Sequence, residues 1–443
     1  MVTEQGDVWA CGKGEHGVLG LGTDAHQLLP ALVGGADEVF DGEAVVLVAA
    51  GREHTACVSL KGTLWSWGNG EDGRLGHGDE ESRQRPQRLH RDMHGGSPAV
   101  MVSCGNLHML VLTTDGVWSC GFGGAGRLGH GDTASQLVLT LVGAEGFRGG
   151  QIVMVAAGVC HSVALGAQGS VWTWGEGSLG RLGHNNQENR LVPTLLAGEA
   201  LGGAAAVLVA AGGMHTVVVT RQGALWVWGR GLYGQLGLGD EGNRLAPARV
   251  GSEESFGGSH VITAHCGLNH TLAITKDGAL WTFGIGTDGA LDHTGRNNRL
   301  VPTRIEAHHF GNAKIVCAAA GHSHSAAVTE HGILYTWGLA AGPRHPTLVP
   351  TCIAPHLLQG ARVGRCHDLP LIHALAFAMG THARLGSADE TAPAHATDCA
   401  YLKMPGELVR QLVEACASRP EGQVVGMEGV VRLMGGGEVR GEV

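Results

Sequence analysis

Six times in this chain a Gly-x-x-His is followed, 13 or 14 residues on, by a glycine that closes a short aromatic stretch. The histidines are His54, His108, His161, His215, His270 and His324; the closing glycines are Gly68, Gly121, Gly175, Gly229, Gly284 and Gly338. An additional copy of the second half, Asp7 to Gly12, opens the sequence, and successive closing glycines lie 53–56 residues apart. Repetition at a fixed period of this size means an array of one supersecondary unit, because a single unit cannot bury its own apolar face.

Each unit reads as four short strands, here lettered A to D. In one copy they are Val207–Ala211, His215–Thr220, Ala224–Gly229 and a strand following Pro247. Gly-containing turns such as Gln222-Gly223 and Asp277-Gly278 suit tight hairpins. A proline falls 18 residues after most closing glycines, at Pro30, Pro86, Pro193, Pro247 and Pro302, with Leu139 in its place once. A proline there fits an outer edge strand, where a missing N–H removes no ladder bond. Strand A ends in Ala-Ala-Gly or a close variant, as small side chains at a crowded axis require. All ten tryptophans fall in strand C, where large rings can fill the space between neighbouring units. Four-stranded units of this length around a circle make a β-propeller.

The ends decide the blade count. The chain opens with a C and a D strand (8–12 and 30–33) and closes its repeats with an A-like and a B-like strand (361–366 and 373–378). Paired, they give a seventh blade, so the expectation is an all-β, seven-bladed propeller over residues 1–386. Residues 387–443 leave the pattern; Pro405 to Ala417 places Leu408, Val409, Leu412, Val413 and Cys416 on one helical face, predicting a short helical tail.

These units resemble the repeat of the regulator-of-chromosome-condensation (RCC1-like) family. The strings GTLWSWGNGEDGRLGHGD (62–79), GSVWTWGEGSLGRLGH (169–184) and GALWVWGRGLYGQLGLGD (223–240), with the Gly-x-x-His-Ser/Thr motifs, carry the resemblance over about residues 6–380. It implies a seven-bladed propeller, which agrees with the count. The function it implies is diverse: exchange on a Ran-type small GTPase, domains of ubiquitin ligases and membrane-traffic proteins, and a UV-B-sensing plant branch. The fold transfers and the activity does not. That plant branch relies on tryptophans just after the glycine of Gly-x-x-His. Here the positions hold Arg52, Asn106, Val159, Gly213, Leu268 and His322, so photoreception is not expected.

Composition narrows the function further. The 75 glycines sit at repeat positions and report turns. A formal net charge of −10 and no Lys/Arg tail give no nucleic-acid footprint. Residues Met1 to Gly6 show no signal pattern and no apolar run is long enough to span a bilayer, so no membrane insertion is expected. Eleven cysteines without a C-x-x-C pair fit a reduced compartment, cytoplasmic or nuclear. Gly-x-Gly-x-x-Gly occurs six times but opens a loop between strands, not a helix, so the glycines are turn residues and no dinucleotide is expected. The repeated histidines are read as buried side chains tied to backbone groups, not a metal ring, and Trp67, Trp174, Trp228 and Trp337 as packing between blades. No Ser/His/Asp, Cys/His or paired-carboxylate set stands outside the repeat, so no bond-making active site, cofactor or metal is expected.

What varies between copies is the candidate binding surface. Three successive C–D loops read Arg-Leu-Gly-His: Arg74/His77, Arg127/His130 and Arg181/His184; the next has Gln235/Leu238, then Ala290/His293. Since loops of one type emerge on one face, these predict a partly cationic arc for an acidic protein partner. Tyr233, Gln235, Asp72 and Asp288 join the candidates. The short stretch from Gly338 to Pro350 predicts a notch in that face. The expected function is a non-enzymatic, monomeric platform for a protein partner. The alternative is a guanine-nucleotide exchange factor for a Ran-type GTPase, acting through an acidic loop with Asp72, Glu176 or Asp288. Chromatin binding and a degradation adaptor, the latter from Met404 to Val409, are weaker readings.

Overall fold

The computed structural model describes residues 1–34, 39–251, 253–291, 295–339 and 347–353. Six four-stranded antiparallel sheets follow one another along the chain, with a two-stranded sheet at its start. Blade 1 spans residues 45–89, blade 2 99–141, blade 3 152–195, blade 4 206–249, blade 5 261–304 and blade 6 315–352; the half-blade pairs Trp9–Gly12 with Gln27–Leu32.

Blade 4 shows the pattern: Ala206–Ala211, His215–Thr220, Leu225–Gly229 and Arg244–Arg249 are strands A to D in spatial order. Strand B is buried along its whole length, which its unbroken Thr-Val-Val-Val run anticipates. Strand A of one blade packs beside strand A of the next, so the small residues lie innermost. Proline does not begin strand D as its spacing suggests: Pro247 is the fourth residue of Arg244–Arg249. It falls where the register slips between Val227/Ala248 and Gly229/Arg244. A bulge on an outer edge strand asks for no N–H there.

The half-blade packs against both blade 1 and blade 6. On one side Val8 and Val33 share a core with Val45, Cys57, Trp65 and Trp67 of blade 1. On the other, Trp9 and Leu32 pack with Val328, Leu334 and Ile353 of blade 6. The strands expected to complete it at 361–366 and 373–378, the notch at 340–346, His293 and the tail helix at 405–417 lie outside the described residues.

The blades are joined by a histidine relay. His108 Nε2 meets Ser162 Oγ of the next blade at 2.9 Å, and Ser162 donates its proton to the Arg127 carbonyl at 2.8 Å. His161 does the same with Thr216 and the Arg181 carbonyl, His215 with Thr271 and the Gln235 carbonyl, and His270 with Ser325 and the Ala290 carbonyl. A hydroxyl has one proton and the carbonyl takes it, so Nε2 carries the proton in its own bond. The imidazoles are neutral, with Nδ1 buried and unpartnered. The seam between blades 1 and 2 lacks this relay: Met109 stands where the hydroxyl belongs, and both nitrogens of His54 are unpartnered.

The glycine of Gly-x-x-His follows from the same packing. A Cβ on Gly158 would lie 2.5 Å from the His161 ring and 2.7 Å from the Gly212 carbonyl. Gly158→Ala is therefore expected to lower the unfolding free energy by about 1–3 kcal/mol, the usual cost of overpacking. Gly198→Ala, whose Cβ meets nothing within 4 Å, is expected to change it little. Equal urea midpoints for the two variants would contradict this account of the motif.

Candidate protein-interaction face

Because His215 pairs with Gly229 at the strand ends, the A–B turns and the first part of each C–D loop share one face. In the half-blade and blades 1–3 the C–D loop begins with a tight turn whose tip residue, His16, Asp72, Ala125 or Leu179, takes a left-handed backbone. The loop tail then crosses to the next blade, where Gly131 N donates to Leu191 O at 2.9 Å and Asn185 N to Leu245 O at 2.8 Å.

This geometry corrects the expectation of a solvent-facing cationic arc. Arg74, Arg127 and Arg181 are buried, at 1%, 5% and 1% exposure. Each folds back so that Nε donates to a carbonyl of its own turn: Glu71, Gly124 and Ser178, at 2.8, 2.9 and 3.1 Å. The leucine that follows is core, as Leu75, Leu128 and Leu182 show. The glycine lies against the next blade's ring; a Cβ on Gly183 would be 2.9 Å from the Trp228 indole nitrogen. The histidines close the clip. His77, His130 and His184 bond Ser66, Ser119 and Thr173 at 3.0, 2.9 and 2.9 Å, and these hydroxyls donate to the carbonyls of Leu75, Leu128 and Leu182. Burial lowers all three, His77 to about 4 with Arg83 adding to it. Arg-Leu-Gly-His is thus an architectural clip within and between blades. Gln235 is likewise buried; its amide oxygen accepts from Tyr233 N at 2.9 Å.

Other residues of the turns remain within reach of solvent. Asp72 is half-buried and pairs with Arg74 at 3.2 Å. Asp288 is half-buried at the blade 5 tip. Tyr233 is half-buried beneath Arg230, whose guanidinium lies 5.0 Å from the ring centroid. Glu176 pairs with Arg181 at 3.1 Å. Burial alone would raise its carboxyl, but Ser178, Arg181, Cys160 and, last, the charge of Arg127 hold it below the usual range. The pattern the sequence reading missed is apolar. The tips and A–B turns of blades 2–5 present Leu107, Phe122, Leu179, Leu232, Leu268 and Ile285, half-buried except Leu232 at 47% exposure. Their signal was available, since these positions hold polar residues in blade 1 (Glu53, Asn69 and Asp72).

Among the described residues no cluster of three or more His, Cys, Asp or Glu is placed to hold a metal, and no helix is long and apolar enough to cross a membrane.

Comparison with known proteins bears on the family. The RCC1-like domain profile matches residues 1–315. The chain is 38% identical over 296 residues to the ultraviolet-B receptor UVR8 of Arabidopsis thaliana, spanning 66% of this chain and 65% of that one. It is 34% identical over 329 residues to the human E3 ubiquitin-protein ligase HERC2, covering 72% of this chain but 7% of the ligase. To the Arabidopsis thaliana RCC1 domain-containing protein RUG3, mitochondrial, it is 32% identical, covering 73% and 76%. Among solved structures it is similar to yeast RCC1 (Prp20) bound to Kap60, with a TM-score of 0.68 at 24% identity over 80% and 85% of the two chains. Human WBSCR16 gives 0.67 at 25% identity over 79% and 93%. The repeat, the four-stranded blades and these matches agree, and the chain belongs to the RCC1-like domain family.

Proposed function

We propose that the chain is a non-enzymatic protein-interaction propeller that receives a protein partner on the face formed by its A–B turns and C–D tips. The observation that carries this reading is the run of apolar and aromatic side chains over blades 2–5, held on turns that strand ends and buried arginines keep in place. Loop tips are ordinarily polar, and apolar or aromatic residues on a rigid surface mark recognition sites. What the relatives do is not carried over: HERC2 is matched over a small part of its length, and the likeness to Prp20 is one of fold.

The test is affinity capture of partners with the wild-type chain and with a Leu179→Asp/Leu232→Asp variant. The expected result is loss of specific partners from the variant at an unchanged melting temperature. An unchanged set of captured proteins would overturn the choice of face. Accelerated release of labelled GDP from a small GTPase by the purified chain would instead favour the exchange-factor reading, in which Asp72 and Asp288 are the residues to replace.

A further inference from the structure

The arginine of the C–D turn shows, blade by blade, which counter-ion its position takes. In blade 1 Arg74 lies 3.5, 3.5 and 3.2 Å from carboxylate oxygens of Glu53, Glu71 and Asp72. In blade 3 Arg181 pairs with Glu176 at 3.1 Å. In blade 2 the positions equivalent to Glu53, Glu71 and Asp72 hold Leu107, Gly124 and Ala125. Arg127 accordingly has no carboxylate in ion-pair range among the described residues. Its Nη1 donates to the Val159 carbonyl at 3.1 Å, Nε to Gly124, and its guanidinium lies 4.9 Å from the Phe122 ring centroid. Nη2 donates no hydrogen bond to the described residues.

Two blades along, Gln235 takes the place of that arginine, and a half-buried Arg230 at the position of Phe122 supplies a second guanidinium on an aromatic ring. It lies over Tyr233, touches Met214 Sδ at 3.8 Å and has no carboxylate in range among the described residues. Of the three arginines of this face over blades 2–4, Arg127, Arg181 and Arg230, only Arg181 makes an ion pair among the described residues, with Glu176, on a chain whose net charge is −10. A guanidinium stacked on a ring keeps the N–H groups of its edge for an acceptor: in Arg127, whose Nε and Nη1 are taken, this leaves Nη2 for one carboxylate oxygen. A buried cation without a counter-ion is costly, and a carboxylate reaching it recovers that cost.

We propose that the arc from Arg127 to Arg230 receives an acidic segment of the partner protein. Asp or Glu side chains of that segment pair with these two arginines, and its intervening apolar side chains lie against Leu107, Leu179 and Met214. The proposal rests on the protein-interaction reading and adds the partner's chemistry. Charge complementarity selects a protein segment over nucleic acid: two arginines without an ion pair on an acidic chain do not make a phosphate track.

The test is fluorescence polarisation with a labelled six-residue peptide alternating Glu and Leu, its Lys–Leu counterpart and an oligothymidylate strand. The expected result is saturable binding of the Glu–Leu peptide, weaker at 300 than at 50 mM NaCl (both approximate working strengths). Arg127→Gln and Arg230→Gln should each weaken it about 10-fold. Arg221→Gln, in the B–C turn at the other end of blade 4, should leave it unchanged. Because Arg127 is buried, Arg230→Glu supplies a variant independent of folding: it should lose the Glu–Leu peptide and gain the Lys–Leu one. No binding, equal loss with Arg221→Gln, or preference for oligothymidylate would overturn the proposal. If the peptide fails while Leu179→Asp/Leu232→Asp still loses captured partners, the interaction reading stands and the acidic segment falls.

Discussion

Between pH 7 and pH 4.5 the propeller is expected to lose most of its stability, and the loss should begin near pH 6.5. Burial is the chief cause that holds His54 to about 3, His215 to about 4 and His270 to about 3. His108 and His161 are held well below their ordinary value by the same cause, with Arg127 and Arg181 respectively adding to it. The folded state keeps these imidazoles neutral, while the unfolded chain binds their protons near pH 6.5. Above that pH neither state is protonated and stability is level. Below it the unfolded state gains protons that the folded state refuses, so stability falls with pH until the folded pKa values are reached. Each histidine costs about 1.4 kcal/mol per pH unit in that window. Five in concert would exhaust a stability of about 5–15 kcal/mol within a few units. Asp79 and Asp240, held low by their hydrogen bonds to Arg83 and Arg244, act with the same sign in a more acidic window. Urea titrations at pH 8, 7, 6 and 5 would check this, the last two midpoints falling steeply. His161→Gln, whose amide can still donate to Thr216, should flatten the slope by one proton. A midpoint unchanged from pH 7 to 5 would contradict the neutral relay.

The fold was legible because each blade repeats one physical problem. The periodic Gly-x-x-His, the Leu-Trp-x-Trp-Gly strand and the Ala-Ala ending report inner strand, buried strand and inter-blade wedge without reference to the rest of the chain. The histidines were readable as buried polar groups for the same reason. What the spacing did not reveal was the partner of each: the hydroxyl at the next residue of the next blade, about one repeat away. Only the ring geometry brings His161 to Thr216. The arginines misled because a charged residue in a glycine-rich loop reads as solvated. In the structure Arg74, Arg127 and Arg181 turn inward, since the tight turn leaves carbonyls that their Nε can bond. The differences that matter at the face are substitutions beside the motif, such as Glu53 against Leu107 and Asn69 against Phe122. A repeat consensus hides them.

Trp228→Ala should be among the most damaging single substitutions in the chain, costing about 3–5 kcal/mol as other large buried aromatics do. The ring is fully buried, and its N–H donates to the Arg181 carbonyl of the preceding blade at 2.9 Å. It therefore fills the space between blades and fixes the base of the C–D turn. Trp226, two residues earlier on the same face of the strand, is half-buried, and Trp226→Ala should cost about 1–2 kcal/mol for the apolar area it covers. Chemical denaturation of the pair measures the difference directly; equal losses would mean that strand C, not the wedge between blades, sets the cost. Trp228→Phe divides the effect further. It keeps a ring and removes only the N–H, while Thr216 still donates to the same carbonyl, so the expected loss is about 1 kcal/mol. Blade 5 already carries that substitution: Phe283 stands at the equivalent position, fully buried, with Thr271 still bonded to the Gln235 carbonyl. The N–H is dispensable there while a ring is kept; blade 2 fills the position with Cys120, fully buried and with its thiol 3.8 Å from the Arg74 carbonyl, so the cost of losing the ring depends on what the neighbouring side chains of each seam fill.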